Sequence, residues 1–400
     1  MRRFSLIIPS WYPDEDQPTA GTFIKEQVLA LQDYVDVAVL HVKETPFTAK
    51  PRISVEDGVP VVRAQIAATR RGHGKVVRIA AMVVDVYRKL FHYPKVGLEA
   101  FELLREAHGT PDIIHVQALW PAGIIAQAIN RRHKIPYVVT EHSEEYLVGT
   151  NRKLTKYPLF VRHVLVPLAA GAVSTIAVSR FLGERLVELG LAKDPVVVPN
   201  AVRPVKAYPQ VTRKPHVITH VSVMGPAKNI AGLLRACALL STRRADFRLR
   251  LVGDGELRDE LEAMSGALGL NGIVEFTGRK SLDEVYDLLA DSAFAVVSSS
   301  CETFSMAGAE ALMCGRPVVS TRCGGPSEFI TAETGLLVEL DDFQALAEGL
   351  EWMLDNYTRF DPMRLNEYAC KRFSPDVVGR QIVDVYEDAL DMMTRAKDAS

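Results

Sequence analysis

Short apolar runs and longer stretches of helical spacing alternate along almost the whole chain. Phe4 to Ile8 predicts a first strand, Trp11 to Thr22 a Pro- and Asp-rich loop, and Phe23 to Leu31 a helix. Val35 to Val42 reads as the next strand, and residues 46–62 as a hairpin or sheet edge. Pro111 to Val116, Tyr137 to Thr140 and Thr175 to Ser179 read as further strands, the last followed by a helix over Phe181 to Leu189. Residues 199–216 then hold four Pro (199, 204, 209, 215) and several basic residues, as a linker does. Beyond it the alternation restarts, with strands at His220 to Val223, Phe247 to Val252, Ile273 to Phe276, Phe294 to Val297, Pro317 to Ser320 and Leu336 to Val338. Helices are expected at Ile230 to Leu240, Ala345 to Leu354 and Val377 to Met392. Repeated strand–helix units predict α/β architecture with doubly wound, Rossmann-like sheets. The expected division is residues 1–200, residues 201–375 and a last helical segment, 376–400.

Chemistry-bearing residues gather where the strands of the second half end. Five successive strands there end in Gly, Lys, Asp or Glu, including Met224 to Asn229 with Lys228, Gly253 to Glu256, and Thr277-Gly278-Arg279. Ligands of open α/β sheets bind at the carboxyl ends of strands. The densest stretch is Ser298 to Glu328. Glu302 follows a strand, and Glu310 comes eight residues later, among Met306, Ala309, Leu312 and Met313 at helical spacing. Gly315 ends that helix, and the strand Pro317 to Ser320 leads to Gly324-Gly325. The first-turn N–H groups around Phe304, Ser305, Met306 and Ala307 suit an anion such as a diphosphate. Carboxylates repel that anion but accept hydrogen bonds from hydroxyls. Phosphates flanked by hydroxyls describe a nucleotide sugar. Two Glu alone would read as solvated surface acids. The Gly-Arg-Pro-Val-Val and Gly-Gly-x-x-Glu runs that follow give them their meaning.

Glu-x7-Glu followed by those two runs resembles the retaining glycosyltransferases of family 4, over nearly the whole chain. The resemblance implies the GT-B fold, in which two Rossmann-like domains face across a cleft and the last helix crosses back to the first domain. It implies transfer of a sugar from a nucleoside-diphosphate donor to a hydroxyl of a glycan or lipid-linked acceptor, in surface polysaccharide or glycolipid assembly. Configuration would be retained by front-side attack, without a metal ion. Glu310 would accept the ribose diol, Glu302 would contact the sugar, and Lys228 would neutralise the diphosphate. Gly21 would let backbone approach the donor phosphate, and Gly253 lies at a donor-side strand end. His115 and His142 stand at strand ends where the family has sugar-contacting His. The chain departs from the family at Gln117, a second His there, at Val223, an Arg there, and at Ser305, often Gly there. Arg279 or an N-domain Arg would replace the missing charge. Two other readings remain open: a nucleotide-sugar epimerase or hydrolase on the same fold, and a non-catalytic nucleotide-binding subunit. A dinucleotide fingerprint is incomplete, because Arg258 stands where Gly253-x-Gly255 needs a third glycine.

Composition narrows the partners. The 400 residues are 48% hydrophobic and 24% charged, with a net charge of −2, which gives no bias toward nucleic acid. Five Cys without CxxC spacing read as reduced thiols of a cytoplasmic protein. No apolar run reaches the roughly 20 residues that span a bilayer. Arg63 to Lys95 is rich in Arg and Lys, with Val76, Ile79, Ala80, Val83, Val84, Tyr87 and Phe91 at helical spacing. A basic helix with an apolar stripe rests on an anionic membrane or holds an anionic acceptor, unless it is an ordinary helix with a solvated face.

Overall fold

The computed structural model describes residues 2–68, 84–147, 158–205 and 214–398. Two sheets carry the fold. The first has eight strands: β1 (Phe4–Pro9), β2 (Asp36–Thr45), β3 (Ala49–Glu56), β4 (Val59–Ala67), β5 (Ile113–Gln117), β6 (Tyr137–Glu141), β7 (Ser174–Ala177) and β8 (Val196–Val197). Their spatial order is β3-β4-β2-β1-β5-β6-β7-β8. The second has β9 (Val217–Val221), β10 (Arg248–Val252), β11 (Val274–Gly278), β12 (Phe294–Val297), β13 (Val318–Thr321) and β14 (Gly335–Val338), in the order β11-β10-β9-β12-β13-β14. All pairings are parallel except β3 with β4, which form an antiparallel hairpin at the edge. The central strands β1, β5, β6, β12 and β13 are buried on both faces, so they read as continuous apolar runs.

The helix Pro375–Asp398 lies on the first sheet's side. Its Val378, Ile382, Val385, Tyr386 and Ala389 share a core with Ile7 of β1 and with Ile24 and Val28 of the helix Thr22–Leu31. The carboxyl ends of β1, β5 and β6 face those of β9, β12 and β13 across a cleft.

One expectation is corrected. Arg63 does not open a basic helix: residues 59–67 form β4, whose alternating burial follows strand periodicity. A helix runs over residues 84–91, followed after a turn by the helix Tyr93–His108. Arg70, Arg71, Lys75 and Arg78, with Val76, Ile79, Ala80 and Val83 of the stripe, lie outside the described residues, as do 206–213 of the linker. Three of the described basic residues are neutralised. Arg63 pairs with Glu56 at 2.7 Å, and Arg88 and Lys89 pair with both Glu44 and Asp85. Val84, Tyr87 and Phe91 are exposed. Among the described residues no helix is long and apolar enough to cross a membrane.

Candidate active site

The loops after β12 and β13 lock together side by side. Glu302 N–H donates to Cys323 O at 2.8 Å, and Gly325 N–H donates to Glu302 O at 3.0 Å. The contact is so close that a Cβ on Gly325 would lie 2.2 Å from Thr303 O, which is why glycine stands there. The chain then enters the helix Met306–Met313 through Ser305, at φ 78, and the Ser305 hydroxyl accepts from Gly308 N–H at 3.4 Å. A left-handed residue at this cap explains why the resembling family often has Gly there. Glu310, one turn in, points back toward the same place. Arg316 of the Gly-Arg-Pro run is structural: it is fully buried, and its Nε donates to Ala290 O at 2.8 Å, tying β13 to the end of the helix Leu282–Ala290.

These elements wall a cavity of about 460 Å³ that reaches both sheets. Glu302, Phe304, Ser305, Met306, Ala307 and Glu310 line one side. Lys228, Gly253 and Arg279 enter from the loops after β9, β10 and β11. Lys228 Nζ lies 2.8 Å from Glu302 Oε1 and 2.9 Å from Glu144 Oε1, on the first domain. Burial disfavours its charge, but the two carboxylates outweigh burial and hold the ammonium above its ordinary range. Ser299 Oγ donates to the same Glu302 oxygen at 2.7 Å. Glu310 has no such cation at hand. Burial, with Glu26 nearby and against the pull of Arg203, raises its carboxyl to about 7.

Besides Glu144, the first domain contributes uncharged polar groups. His142 lines the cavity, its ring 4.9 Å from that of Phe23. Burial lowers its pKa to about 3, so the imidazole is neutral. His142 Nε2 lies 2.6 Å from Gln117 Oε1, and Gln117 Nε2 donates to Gln27 Oε1 at 3.0 Å. Thr303 Oγ1 donates to His142 O at 3.0 Å, joining the two domains beside the cavity.

His115 is not brought to the cavity. It is fully buried behind Gln117, with Nδ1 2.6 Å from Tyr386 Oη and Nε2 2.6 Å from Thr140 Oγ1. Its strand-end position suggested a ligand contact. All five residues of β5 run buried, however, and it is His142, just after β6, that faces the cleft. Gln117, which stands for the second family His, relays between His115 and His142. Gly21 also lies off the cavity wall, between the lining residues Thr19 and Thr22. With φ 70, and a virtual Cβ 2.5 Å from Trp11 O, it serves the tight loop before the helix Thr22–Leu31. Sequence reasoning missed Glu144, Asn200 and His220, which all line the cavity. Asn200 was visible in the Pro-Asn-Ala run after β8. Glu144 had no signal beyond following His142, and His220 sat inside a run read only as a strand.

The arrangement brings the carboxylates of Glu144, Asp254, Glu302 and Glu310, the cations Lys228, Arg279 and Lys280, the neutral imidazoles of His142 and His220 and the first turn of a helix around one space. It can receive a ligand with hydroxyls at two ends and negative charge between.

Comparison with known proteins agrees. A family described as Glycosyl transferases group 1 matches residues 206–372, and one described as Glycosyl transferase 4-like domain matches residues 19–201. The chain is 28% identical over 311 residues to a D-rhamnosyltransferase of Pseudomonas aeruginosa, covering 74% of this chain and 79% of that protein. It is 26% identical over 325 residues to the N-acetyl-alpha-D-glucosaminyl L-malate synthase of Bacillus anthracis, covering 75% and 81%. Its fold matches the sucrose-phosphate synthase of Thermosynechococcus elongatus with a TM-score of 0.75 at 19% identity, over 98% of this chain and 100% of that one. It also matches the Anabaena protein HepE, solved in complex with UDP, with a TM-score of 0.70 at 17% identity, over 96% and 100%. With one match on each half of the chain and a GT-B architecture throughout, this protein belongs to the group 1, family 4-like glycosyltransferases and is an enzyme of that class.

Proposed function

We propose that the enzyme moves a sugar from a nucleoside-diphosphate donor to a hydroxyl of a glycan or lipid-linked acceptor with retention of configuration, in surface polysaccharide or glycolipid assembly. The observation that carries this reading is the convergence of Glu302, Glu310, Lys228 and the first turn of the helix Met306–Met313 on one cavity between the two sheets. Glu310 accepts the ribose diol. Glu302 receives hydroxyls of the sugar. Lys228, Arg279 and the N–H groups of Met306 and Ala307 stabilise the diphosphate as it leaves, where such a site should act most. Neutral His142 hydrogen-bonds the sugar or the incoming hydroxyl, and Gln117 and His115 hold it in place. Glu302 is tied to Lys228, so the reading has no carboxylate nucleophile, and attack comes from the face the diphosphate leaves. No metal ion takes part in it. Exposed Val84, Tyr87 and Phe91 favour a peripheral membrane contact near residues 63–95.

A thermal-shift panel of UDP, GDP, ADP, dTDP and NAD on wild type and Glu310→Ala tests the donor site. A ligand at about 100 times its dissociation constant stabilises the native state by about 2.7 kcal/mol. One nucleoside diphosphate should stabilise the wild type and lose its effect in the variant. Stabilisation by none, or by NAD alone, would overturn the reading.

A further inference from the structure

Beyond the loop that follows β1 lies a second cavity, of about 680 Å³, at the carboxyl ends of β2 and β4. Its volume falls in the range of ligand pockets. The same loop and helix start separate it from the cleft: Thr19, Thr22 and Phe23 face the cleft, while Pro18 and Lys25 face the second cavity. A chain-like acceptor lying over this loop would occupy both.

The cations of the second cavity are already matched. Lys43 Nζ lies 2.6 Å from Asp14 and 2.8 Å from Asp16. Arg63 grips Glu56 with two bonds, of 2.8 and 2.7 Å. Lys25 pairs with Asp57 at 2.5 Å. The lining holds four acids (Asp14, Glu15, Asp16, Glu56) against three cations (Lys25, Lys43, Arg63). No cation is left over for a phosphate, and the net sign repels one.

What stays unmatched is neutral. His41 is only 6% exposed, yet neither ring nitrogen has a hydrogen-bond partner among the described residues, and Nδ1 is sealed from solvent. Burial lowers its pKa to about 4, so the ring offers one donor and one acceptor. Gln65 Oε1 is likewise buried without a partner among the described residues. Buried polar groups are nearly always satisfied, and two orphans lining one cavity point to a ligand that supplies hydrogen bonds. An adjoining pocket of about 250 Å³ shares Asp14, His41 and Lys43 and is walled by Trp11, a residue 38% exposed. An aromatic face beside paired acids and neutral hydrogen-bonding groups suits a ring with an apolar face and a rim of hydroxyls.

We propose that this cavity binds neutral sugar units of the acceptor, away from the hydroxyl that reacts. The inference rests on the glycosyltransferase reading and narrows its acceptor: recognition on this domain is of an uncharged glycan, with any lipid diphosphate lying elsewhere.

The test is saturation-transfer NMR with methyl α-mannoside, methyl α-rhamnoside, methyl N-acetylglucosaminide and glycerol phosphate. Wild type, His41→Leu and Gln65→Ala are compared, with the affinity for the nucleoside diphosphate that stabilises the wild type measured on each. At least one neutral glycoside should bind the wild type and weaken about tenfold or more in both variants, with nucleotide affinity unchanged. His41→Leu removes a buried orphan and should melt no lower than wild type, so its loss of binding would not reflect unfolding. Glycosides that ignore the wild type, or bind both variants equally, would show a water-filled notch and overturn the proposal. So would glycerol phosphate binding in preference to glycosides. Absence of nucleotide binding in the wild type would sink the donor reading instead.

Discussion

The two walls of the cleft are built from different chemistry and from different stretches of chain. On the second domain the wall is charged: Lys228, Glu302 and Glu310 face the cavity, and the loop and the helix that carry the two Glu are adjacent in sequence. On the first domain the wall is neutral apart from Glu144, and it is assembled from afar. His142, Gln117, Gln27, His115, Thr140 and Tyr386 form one buried network drawn from β5, β6, the helix Thr22–Leu31 and the last helix. A diphosphate leaving group needs charges that answer it as it departs, whereas a hydroxyl needs partners that position it without binding it as an ion. In the proposed reading, donor and acceptor duties are divided between the domains largely by charge, with Glu144 the exception. Substitutions on the two walls should therefore fail in different ways.

The largest expected effect lies on the charged wall. Glu302→Ala removes the carboxylate that receives Ser299 Oγ and Lys228 Nζ and, in the proposed reading, the sugar. Turnover should fall by about a thousandfold, the size seen when one preorganised electrostatic contact is lost. Nucleoside-diphosphate affinity should change much less. Donor-consumption kinetics beside calorimetry of the nucleotide would check this, and equal losses in both would mean that Glu302 only shapes the pocket.

Next in size is Lys228. A hydrogen bond to a charged group contributes about 1.5–3 kcal/mol, so Lys228→Met should weaken nucleotide binding by roughly 10- to 100-fold. Its partner across the cleft predicts the opposite sign. Glu144 holds the Lys228 ammonium at 2.9 Å, where in the proposed reading it competes with a phosphate. Glu144→Gln should therefore tighten nucleotide binding by a few-fold, with the gain shrinking at high salt. Weaker binding in Glu144→Gln would mean that Glu144 assists the donor.

The unequal visibility of the walls follows from the same construction. Glu302, the helix cap at Ser305, Glu310 and Gly324-Gly325 were legible because a strand, a turn, a helix and a second strand place them together locally. The two sheets were legible because buried parallel strands leave unbroken apolar runs. The neutral wall was not. His115 looked like a ligand, yet it belongs to a relay whose other end, Tyr386, lies 271 residues away. Glu144 is given its role only by an ammonium on the other domain. The stretch beginning at Arg63 was legible as basic but not as a mixture of strand and helix: Arg63 lies on β4, and Arg63, Arg88 and Lys89 each meet a carboxylate that a charge count does not reveal.

A smaller effect should separate Glu310 from its neighbours. Its carboxyl titrates near 7 because burial raises it, so it is neutral below that pH and charged above. The charged form is the better acceptor for a ribose diol. Nucleotide affinity should therefore rise with pH, by roughly tenfold from pH 6 to pH 8, as the ionised fraction grows from about a tenth to about nine-tenths. Phosphate ionisation adds its own slope over this range. Glu310→Gln supplies the control: its profile should keep the phosphate component and lose the rest. Identical profiles in both proteins would place the ribose elsewhere.

The smallest effect on nucleotide binding is expected from Tyr386→Phe, at the far end of the neutral wall. Tyr386 Oη lies 2.6 Å from His115 Nδ1 in a fully buried site. Its loss leaves an imidazole nitrogen unsatisfied, which costs about 1–3 kcal/mol of stability. The defect travels through Gln117 to His142, so the position of His142 should loosen while its neutral state persists. Turnover should drop several-fold with nucleotide affinity unchanged, the reverse of the Lys228→Met pattern. A purely structural relay would lower the melting temperature and leave both kinetic quantities at their wild-type values. A nucleotide defect instead would break the division of labour, because the last helix would then serve the charged wall as well.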